Sequence, residues 1–329
     1  MESEHSYLLD AGGNNLIRKA FLRKVCEAYS VDPEDAKLIK SDASLVFDCG
    51  DRFIKFTDAR FTSQEDYELQ FEWLKHLHAN DVKVVELIQT TKGKNLIHRW
   101  NEEKKKGLNI VCFKKINGAK LMNNTWSKEH FITLGQISSK LHQVSQNTTD
   151  IDFSKYKNWD NHYFFDCIDT LPEDKRGLKK LFQKLLKEFK TYSTDQSIFG
   201  LVHYDISAGN YFMDDDGEII LYDFDMLCNS WYAADIAVIL FYAKFYRKTR
   251  NYENFEQIFL HYFLHGYKEH RKISGEEKEK IRKFLLYRYI AVLGNLHRFG
   301  TKEQREVTFK DYLGFIEISI KHYRGLVGL

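Results

Sequence analysis

The stretch HYDISAGNYF at residues 203–212, with LYDFD at 221–225, most constrains what this chain can fold into. It gathers a histidine, an amide and three carboxylates around two short apolar runs. Like charges at this density repel one another and are usually tolerated only when a cation lies among them. The stretch therefore predicts a functional site that holds a cation. Its polar members are His203, Asp205, Asn210, Asp223 and Asp225.

The spacing of these residues indicates which chemistry the site supports. The link MDDDGE is rich in Asp and Gly, which predicts a hairpin that brings Asn210 and Asp223 together. If the second strand continues to Asp225, strand alternation puts that carboxylate on the same side as Asp223. Amide and carboxylate oxygens suit Mg²⁺. Asp205, five residues before Asn210, is placed to accept a hydroxyl proton beside the metal, as phosphoryl transfer requires.

The pattern HYDISAGNYF…LYDFD…WYAADIA resembles the aminoglycoside phosphotransferase and choline kinase branch of the protein-kinase-like fold, over residues 200–243. The resemblance implies that Asp205 is the catalytic base and that Asn210 and Asp223 hold Mg²⁺. It also implies that His203 and Asp235 support the catalytic loop, Asp235 by accepting backbone N–H groups.

Two positions within the pattern stay open. Asp225 is either a partner of the metal ligands or a ligand itself. Tyr204 stands where relatives usually carry Gly, so its ring is expected to reshape the acceptor side of the base.

The order of elements predicts an α+β protein with two lobes. Residues 1–116 contain the strand-like segments AKLIKSD, SLVFDCG, RFIKFTD, VKVVELI and LNIVCFKKI, with a strong helical pattern over 64–79. Residues 117–329 are mainly helical apart from the hairpin at 210–223. We therefore expect a small β-rich nucleotide-binding lobe and a larger helical lobe for catalysis and acceptor binding, with a ligand site in the cleft between them.

The resemblance also requires a lysine for the nucleotide phosphates and an acid to hold it. Lys55 lies among apolar residues on the strand RFIKFTD, where burying a charge needs a reason. On the following helix Glu68 and Glu72 share a face, and the match to the family favours Glu68 without excluding Glu72. The phosphate-covering loop is expected around residues 41–44, which contain no glycine, with Ser44 as a candidate donor.

The nucleotide itself is expected to be ATP, with GTP also possible. Backbone groups near Lys115 and Ile116 are the candidates for binding adenine. The rings of Phe212 and Tyr222 either pack on the base or belong to the core.

Composition excludes several other classes of protein. The net charge of +2 over 329 residues gives no electrostatic case for nucleic acid or an anionic membrane. No apolar run approaches the ~18 residues of a membrane span, and the acidic start is unlike a signal peptide, so the cytoplasm is expected. Five widely spaced cysteines argue against a disulfide framework and against a zinc site.

The acceptor is expected to be a small hydroxylated molecule. Asp225 and Asp235 are only ten positions apart, which leaves no room for the activation segment by which protein kinases position a peptide. Arg288 and His297 are candidates for lining the acceptor pocket.

One alternative to a kinase is a kinase-fold binding protein with little catalysis, motivated by the missing glycines and by Tyr204. A metal-dependent phosphohydrolase is disfavoured because no further histidine ligands or second carboxylate cluster are found.

Overall fold

The computed structural model divides the chain into two compact units, unit 1 at Met1–Gly118 and unit 2 at Ala119–Leu329. Unit 1 contains the larger sheet, and unit 2 is mainly helical, in agreement with the predicted α+β class. The residues that the structure describes are 17, 19–41, 44–101, 106–118, 127–161, 168–246, 252–299 and five more between 313 and 320.

Unit 1 is built on an antiparallel sheet that carries two helices. Its strands run in the order β1-β2-β3-β6-β4, and β5 also pairs with β6. The predicted strand over VKVVELI shortens to two residues, and the half-exposed strand β5 was not predicted because its sequence, LIHRWN, mixes polar and apolar residues without clear alternation. The elements are α1 (Lys19–Ala28), β1 (Lys37–Ser41), β2 (Ser44–Asp48), β3 (Arg52–Asp58), α2 (Gln64–Ala79), β4 (Leu87–Ile88), β5 (Leu96–Asn101) and β6 (Lys106–Lys114).

The two faces of the unit 1 sheet bury different partners. Ile54 and Phe56 of β3 join the main core beneath α1, as strand alternation requires. The side chains on the other face of the sheet point toward α2, and among them Val111 packs against Tyr67 and Phe71. Helix α2 starts where predicted because Ser63 and Asp66 form a reciprocal capping box.

Unit 2 is mainly helical and contains two short strand pairs among its described residues. The predicted hairpin is present as β8 and β9, whereas the pair β7–β10 was not predicted. No helix among the described residues has the length and apolar character needed to span a membrane. The elements are α3 (Lys128–Asn147), α4 (Arg176–Phe189), β7 (Phe199–Val202), β8 (Tyr211–Met213), β9 (Ile219–Leu221), β10 (Cys228–Trp231), α5 (Tyr232–Tyr246), α6 (Tyr252–Tyr267) and α7 (Gly275–Phe299).

Helices α3 and α6 cross at a pair of glycines. A Cβ atom on Gly135 would overlap the backbone carbonyl of Phe263, and one on Gly266 would overlap that of Ile132. Only residues without side chains allow the two backbones to approach this closely. The crossing holds together two helices that supply buried side chains to the site described below.

His130, near the start of α3, makes the stability of the protein depend on pH. Its ring is buried, with Nε2 3.1 Å from the Tyr211 hydroxyl, and burial lowers its pKa to about 4. The unfolded chain protonates this ring near its ordinary pKa of ~6.5. The contribution of His130 to the free energy of unfolding is therefore fully present above pH ~6.5 and is lost as pH falls toward 4. We expect a loss of about 2 kcal/mol in unfolding free energy between pH 7.5 and 5 from this residue.

Urea unfolding at the two pH values measures this effect. The variant His130→Gln is expected to show a shallower pH dependence than the wild type. His265→Gln on the exposed face of α6 is the matched control and should keep the wild-type slope. Equal slopes for all three proteins would assign the pH dependence to other groups.

Candidate active site

The loop at residues 203–210 leaves the end of β7 and is fixed by His203. This side chain is fully buried, and its Nε2 lies 3.0 Å from the Tyr222 carbonyl oxygen at the end of the β8–β9 hairpin. Its Nδ1 accepts a hydrogen bond from the Asp205 backbone N–H at 3.3 Å. His203 thus ties the loop to the hairpin and sets the backbone of Asp205.

Tyr204 turns the backbone in the left-handed region, with φ of 61°. A non-glycine residue in this region costs on the order of 1 kcal/mol and persists when its surroundings fix it. Here the Asp235 Oδ1 accepts the Tyr204 N–H at 2.7 Å, and the ring is buried with the Arg288 guanidinium carbon 6.0 Å from its centroid. The ring that replaces the usual glycine therefore packs inside unit 2.

The carboxylate of Asp205 is held on both oxygens. Asn210 Nδ2 donates to Oδ2 at 2.8 Å, the Tyr242 hydroxyl donates to Oδ1 at 2.6 Å, and Arg288 Nη2 donates to Oδ1 at 3.0 Å. Burial raises the pKa of Asp205, and the charge of Asp223 adds to this, while Arg288 and Tyr242 act in the opposite direction. A carboxyl group with a raised pKa in a fixed position is suited to accept a proton.

Asn210 is oriented with its amide nitrogen toward Asp205. Its Nδ2 also donates to the Asp205 backbone carbonyl at 2.8 Å, so the Oδ1 atom is the end directed away from these contacts. The Tyr222 N–H donates to the Asn210 carbonyl at 3.0 Å, which brings the two ends of the hairpin together and carries Asp223 toward the loop.

Strand alternation does not relate Asp223 to Asp225, because the strand does not continue to Asp225. Strand β9 ends at Leu221, Asp223 is left-handed with φ of 64°, and Asp225 lies in a 3₁₀ turn. The left-handed residue ends the strand and redirects the chain.

The donor atoms on these elements fit a hard divalent cation. No group of three or more His, Cys, Asp or Glu side chains suited to a metal occurs among the described residues. Mg²⁺ needs fewer protein ligands than such a group provides, because it keeps several waters and binds phosphate oxygens. The Asn210 amide oxygen and the Asp223 carboxylate, with Asp225 nearby in sequence, are the donor set that fits.

Asp235 starts a buried chain of hydrogen bonds that the sequence did not reveal. Its Oδ2 lies 2.9 Å from Nε2 of His142 on α3, and His142 Nδ1 lies 2.8 Å from the Tyr267 hydroxyl on α6. Burial lowers the pKa of His142, which favours the neutral ring. A neutral imidazole that donates to Asp235 accepts from Tyr267, so the loop is tied to both helices.

Lys55 of β3 lies on the sheet face that α2 covers. It pairs with Val111 in the sheet register, is 8% exposed, and its neighbour on the same face, Thr57, shares a 2.8 Å hydrogen bond with Tyr67 of α2. A lysine buried on this face is the arrangement that the sequence predicted.

The buried residues of α2 do not include the acid that was expected to face Lys55. Both Glu68 and Glu72 are exposed, and the buried polar residue of α2 is Gln70. The sequence did not single out Gln70, because the expected partner of a lysine is an acid. It becomes a third candidate for the side chain that faces the lysine.

The other residues expected around the nucleotide have contacts of their own. Ser44 is buried at the start of β2, opposite Thr57, and the adjoining positions 42 and 43 lie outside the described residues. The Lys115 N–H donates to the Asp51 carbonyl at 2.8 Å. If this residue binds adenine through its backbone, the carbonyl group is therefore the one that makes the contact. Ile116 follows in a segment without regular secondary structure.

The Phe212 and Tyr222 rings of unit 2 pack against each other, with centroids 5.2 Å apart. Both rings are only partly buried, and the Tyr222 hydroxyl donates to the Gly209 carbonyl. They form an aromatic surface on the hairpin beside the 203–210 loop.

Known proteins resemble this chain in sequence and in fold. The chain is 22% identical over 284 residues to amicoumacin kinase from Bacillus subtilis (strain 168), covering 84% of each protein. The solved structure of an amicoumacin kinase in complex with AMP-PNP, Ca²⁺ and Ami has a TM-score of 0.83 at 21% identity, covering 91% of this chain and 93% of that one. A microcompartment-associated aminopropanol kinase has a TM-score of 0.76 at 18% identity, covering 95% and 99%.

These structural likenesses confirm the fold class that the sequence predicted. The model of the phosphotransferase enzyme family matches residues 35–279, which is most of the chain and includes every residue of the 203–210 loop. The chain therefore belongs to the phosphotransferase enzyme family, as the pattern around Asp205 predicted.

Proposed function

We propose that the protein is an ATP- and Mg²⁺-dependent kinase that transfers the γ-phosphoryl group to a hydroxyl group of a small molecule. The observation that carries this is the Asp205 carboxylate, held by Asn210, Tyr242 and Arg288 at the end of a buried strand pair. The matched family and the complex of a related kinase with AMP-PNP and Ca²⁺ support nucleotide and divalent-cation binding.

In this proposal Asp205 accepts the proton of the acceptor hydroxyl. His203 accepts the Asp205 N–H at 3.3 Å and Asp235 accepts the Tyr204 N–H at 2.7 Å, so both fix the backbone that leads into Asp205. Asn210 Oδ1 and Asp223 hold Mg²⁺, with Asp225 supporting them. When bound, Mg²⁺ neutralises charge on the nucleotide phosphates.

Unit 1 supplies the nucleotide contacts in this proposal. Lys55 binds the phosphates, with Glu68, Glu72 or Gln70 as its partner on α2. Ser44 donates a hydrogen bond near the phosphates, and backbone groups of Lys115 and Ile116 bind adenine. Unit 2 adds the rings of Phe212 and Tyr222, which pack on the base. Because the reaction consumes ATP, we place it in the cytoplasm, where ATP is available.

A small acceptor is favoured over a peptide by the structure between Asp225 and Asp235. This segment is occupied by β10 and the first turn of α5, so it offers no loop on which a peptide could lie. The acceptor is an aminoglycoside-like antibiotic or another hydroxylated metabolite. The held carboxylate favours catalysis over a purely binding role, because a binding protein has no need for an oriented base.

Nucleoside-diphosphate release tests the proposal. Purified protein is assayed with Mg²⁺ and ATP, then GTP, against aminoglycosides, amicoumacin, aminopropanol, choline, homoserine, methylthioribose and simple sugars. We expect at least one acceptor to raise release well above the rate without acceptor, and only in the presence of the metal. A flat panel together with metal-independent or undetectable ATP binding would contradict the proposal.

A further inference from the structure

Arg288 of α7 is a buried cation at the carboxylate of Asp205. It is 2% exposed, and its Nη2 donates to Asp205 Oδ1 and to the Tyr242 hydroxyl, both at 3.0 Å. The rings of Tyr204, Phe241 and Tyr242 lie within 6.0 Å of the guanidinium carbon. A charged group enclosed in this way is costly unless paired, so its position is set by Asp205.

The hydrogen bonds divide the two oxygens of Asp205 into different roles. A carboxylate oxygen accepts about two hydrogen bonds. Oδ1 already receives two, from Tyr242 and Arg288. Oδ2 receives one from a side chain, that of Asn210, among the described residues. The remaining acceptor position of the carboxylate is therefore on Oδ2, on the side of the residue that would hold the metal.

We propose that Arg288 and Tyr242 are positioning residues that fix Oδ1 of Asp205, so that Oδ2 takes the proton. Because Arg288 also neutralises the negative charge of Asp205, the site selects acceptors without several amines beside the reacting hydroxyl. This inference rests on the proposed kinase function. The hydroxyl oxygen forms its bond to the γ-phosphorus as its proton passes to Oδ2. The bond from that phosphorus to the bridging oxygen breaks, and the nucleoside diphosphate leaves.

The selection against polycations follows from the pairing of Asp205 itself. Its carboxylate is paired with Arg288, whose Nη2 lies 3.0 Å from Oδ1. Recognition of several amines requires carboxylates whose charge is not already neutralised. The site therefore suits an acceptor that is neutral, anionic or singly charged near its hydroxyl.

The test compares variants on acceptors of different charge. Wild type, Arg288→Met, Arg288→Lys and Tyr242→Phe are assayed for kcat and KM with a neutral polyol, a hydroxy acid, an amino alcohol and a polyamino aminoglycoside. Arg282→Met is the matched control, because it removes an arginine from the same helix that pairs with Glu256 instead. Thermal unfolding of each variant shows which of them fold.

We expect Arg288→Met to lower kcat by about tenfold or more and to shift the ratio of kcat/KM between polyamino and neutral acceptors by about tenfold toward the polyamine. Arg288→Lys should restore part of the kcat and most of the original ratio. Tyr242→Phe, which keeps the ring, should lower kcat with little change in the acceptor KM. Arg282→Met should leave the ratio unchanged.

The outcomes separate the two proposals. Wild-type turnover with the same charge preference in Arg288→Met, Arg282→Met and wild type would overturn this inference alone. If Arg288→Met does not fold, an unchanged kcat in Tyr242→Phe overturns the positioning role, and a wild-type preference for the polyamino acceptor over the neutral polyol overturns the selection. No transfer by the wild type to any acceptor would overturn the kinase function, and this inference with it.

Discussion

Replacing Asp205 with Asn is expected to lower kcat by about 10³-fold while leaving nucleotide affinity unchanged. The amide has nearly the shape of the carboxylate but cannot accept the hydroxyl proton. Nucleotide contacts are expected from Lys55 and from the segment at 115–116, which belong to unit 1, whereas Asp205 belongs to unit 2. Single-turnover kinetics with saturating acceptor measure the chemical step, and equilibrium titration with a non-hydrolysable ATP analogue measures binding.

The matched control is Asp216→Asn, which changes an exposed aspartate in the turn of the β8–β9 hairpin. It should retain wild-type turnover. Because Asp205 is the partner of the buried Arg288, its replacement is also expected to lower the unfolding temperature, so both variants are assayed well below their melting transitions. Wild-type kcat in Asp205→Asn would contradict its role as the base.

The parts of the site that the sequence predicted are those that are local in the chain. His203, Asp205 and Asn210 share one loop, and a short hairpin brings Asp223 back to it. Such placement follows from strand and turn patterns over about twenty residues. The burial of Lys55 was predictable for the same reason, since strand alternation sets its face once the strand is identified.

The parts that sequence reasoning missed depend on contacts between distant helices. His142 lies in an amphipathic helix and Tyr242 in an apolar one, and nothing in either local pattern distinguishes a side chain that reaches the site. Helix α5 is apolar on nearly every face, so periodicity does not reveal the orientation of Tyr242. Arg288 was named as a candidate for the acceptor pocket, but its pairing with Asp205, 83 residues earlier, was not predicted.

Two further differences have local causes that a simple pattern hides. The strand expected to reach Asp225 stops at Leu221 because Asp223 adopts a left-handed conformation that no alternation pattern encodes. On α2 the helical spacing put Glu68 and Glu72 together, whereas the packing of Tyr67 and Phe71 turns Gln70 inward instead.

The second large effect is expected at the helix crossing, where Gly135→Ala should destabilise unit 2 by about 3 kcal/mol. The added methyl group would overlap the Phe263 carbonyl and lie 2.8 Å from the Tyr267 backbone nitrogen. Both neighbours are backbone atoms, so the clash cannot be relieved by a rotamer change, and α3 and α6 must separate. Urea unfolding followed by circular dichroism measures the change.

Gly177→Ala is the matched control and should change the free energy of unfolding in the opposite direction. Gly177 lies in the first turn of α4 with nothing within 4 Å of an added Cβ, so alanine should stabilise the helix by about 0.5 kcal/mol. The crossing also sets the distance between His142 and Tyr267, which tie Asp235 to the two helices. Gly135→Ala should therefore lower kcat in the protein that remains folded. Equal stabilities for the two variants would show that α3 and α6 can repack without loss.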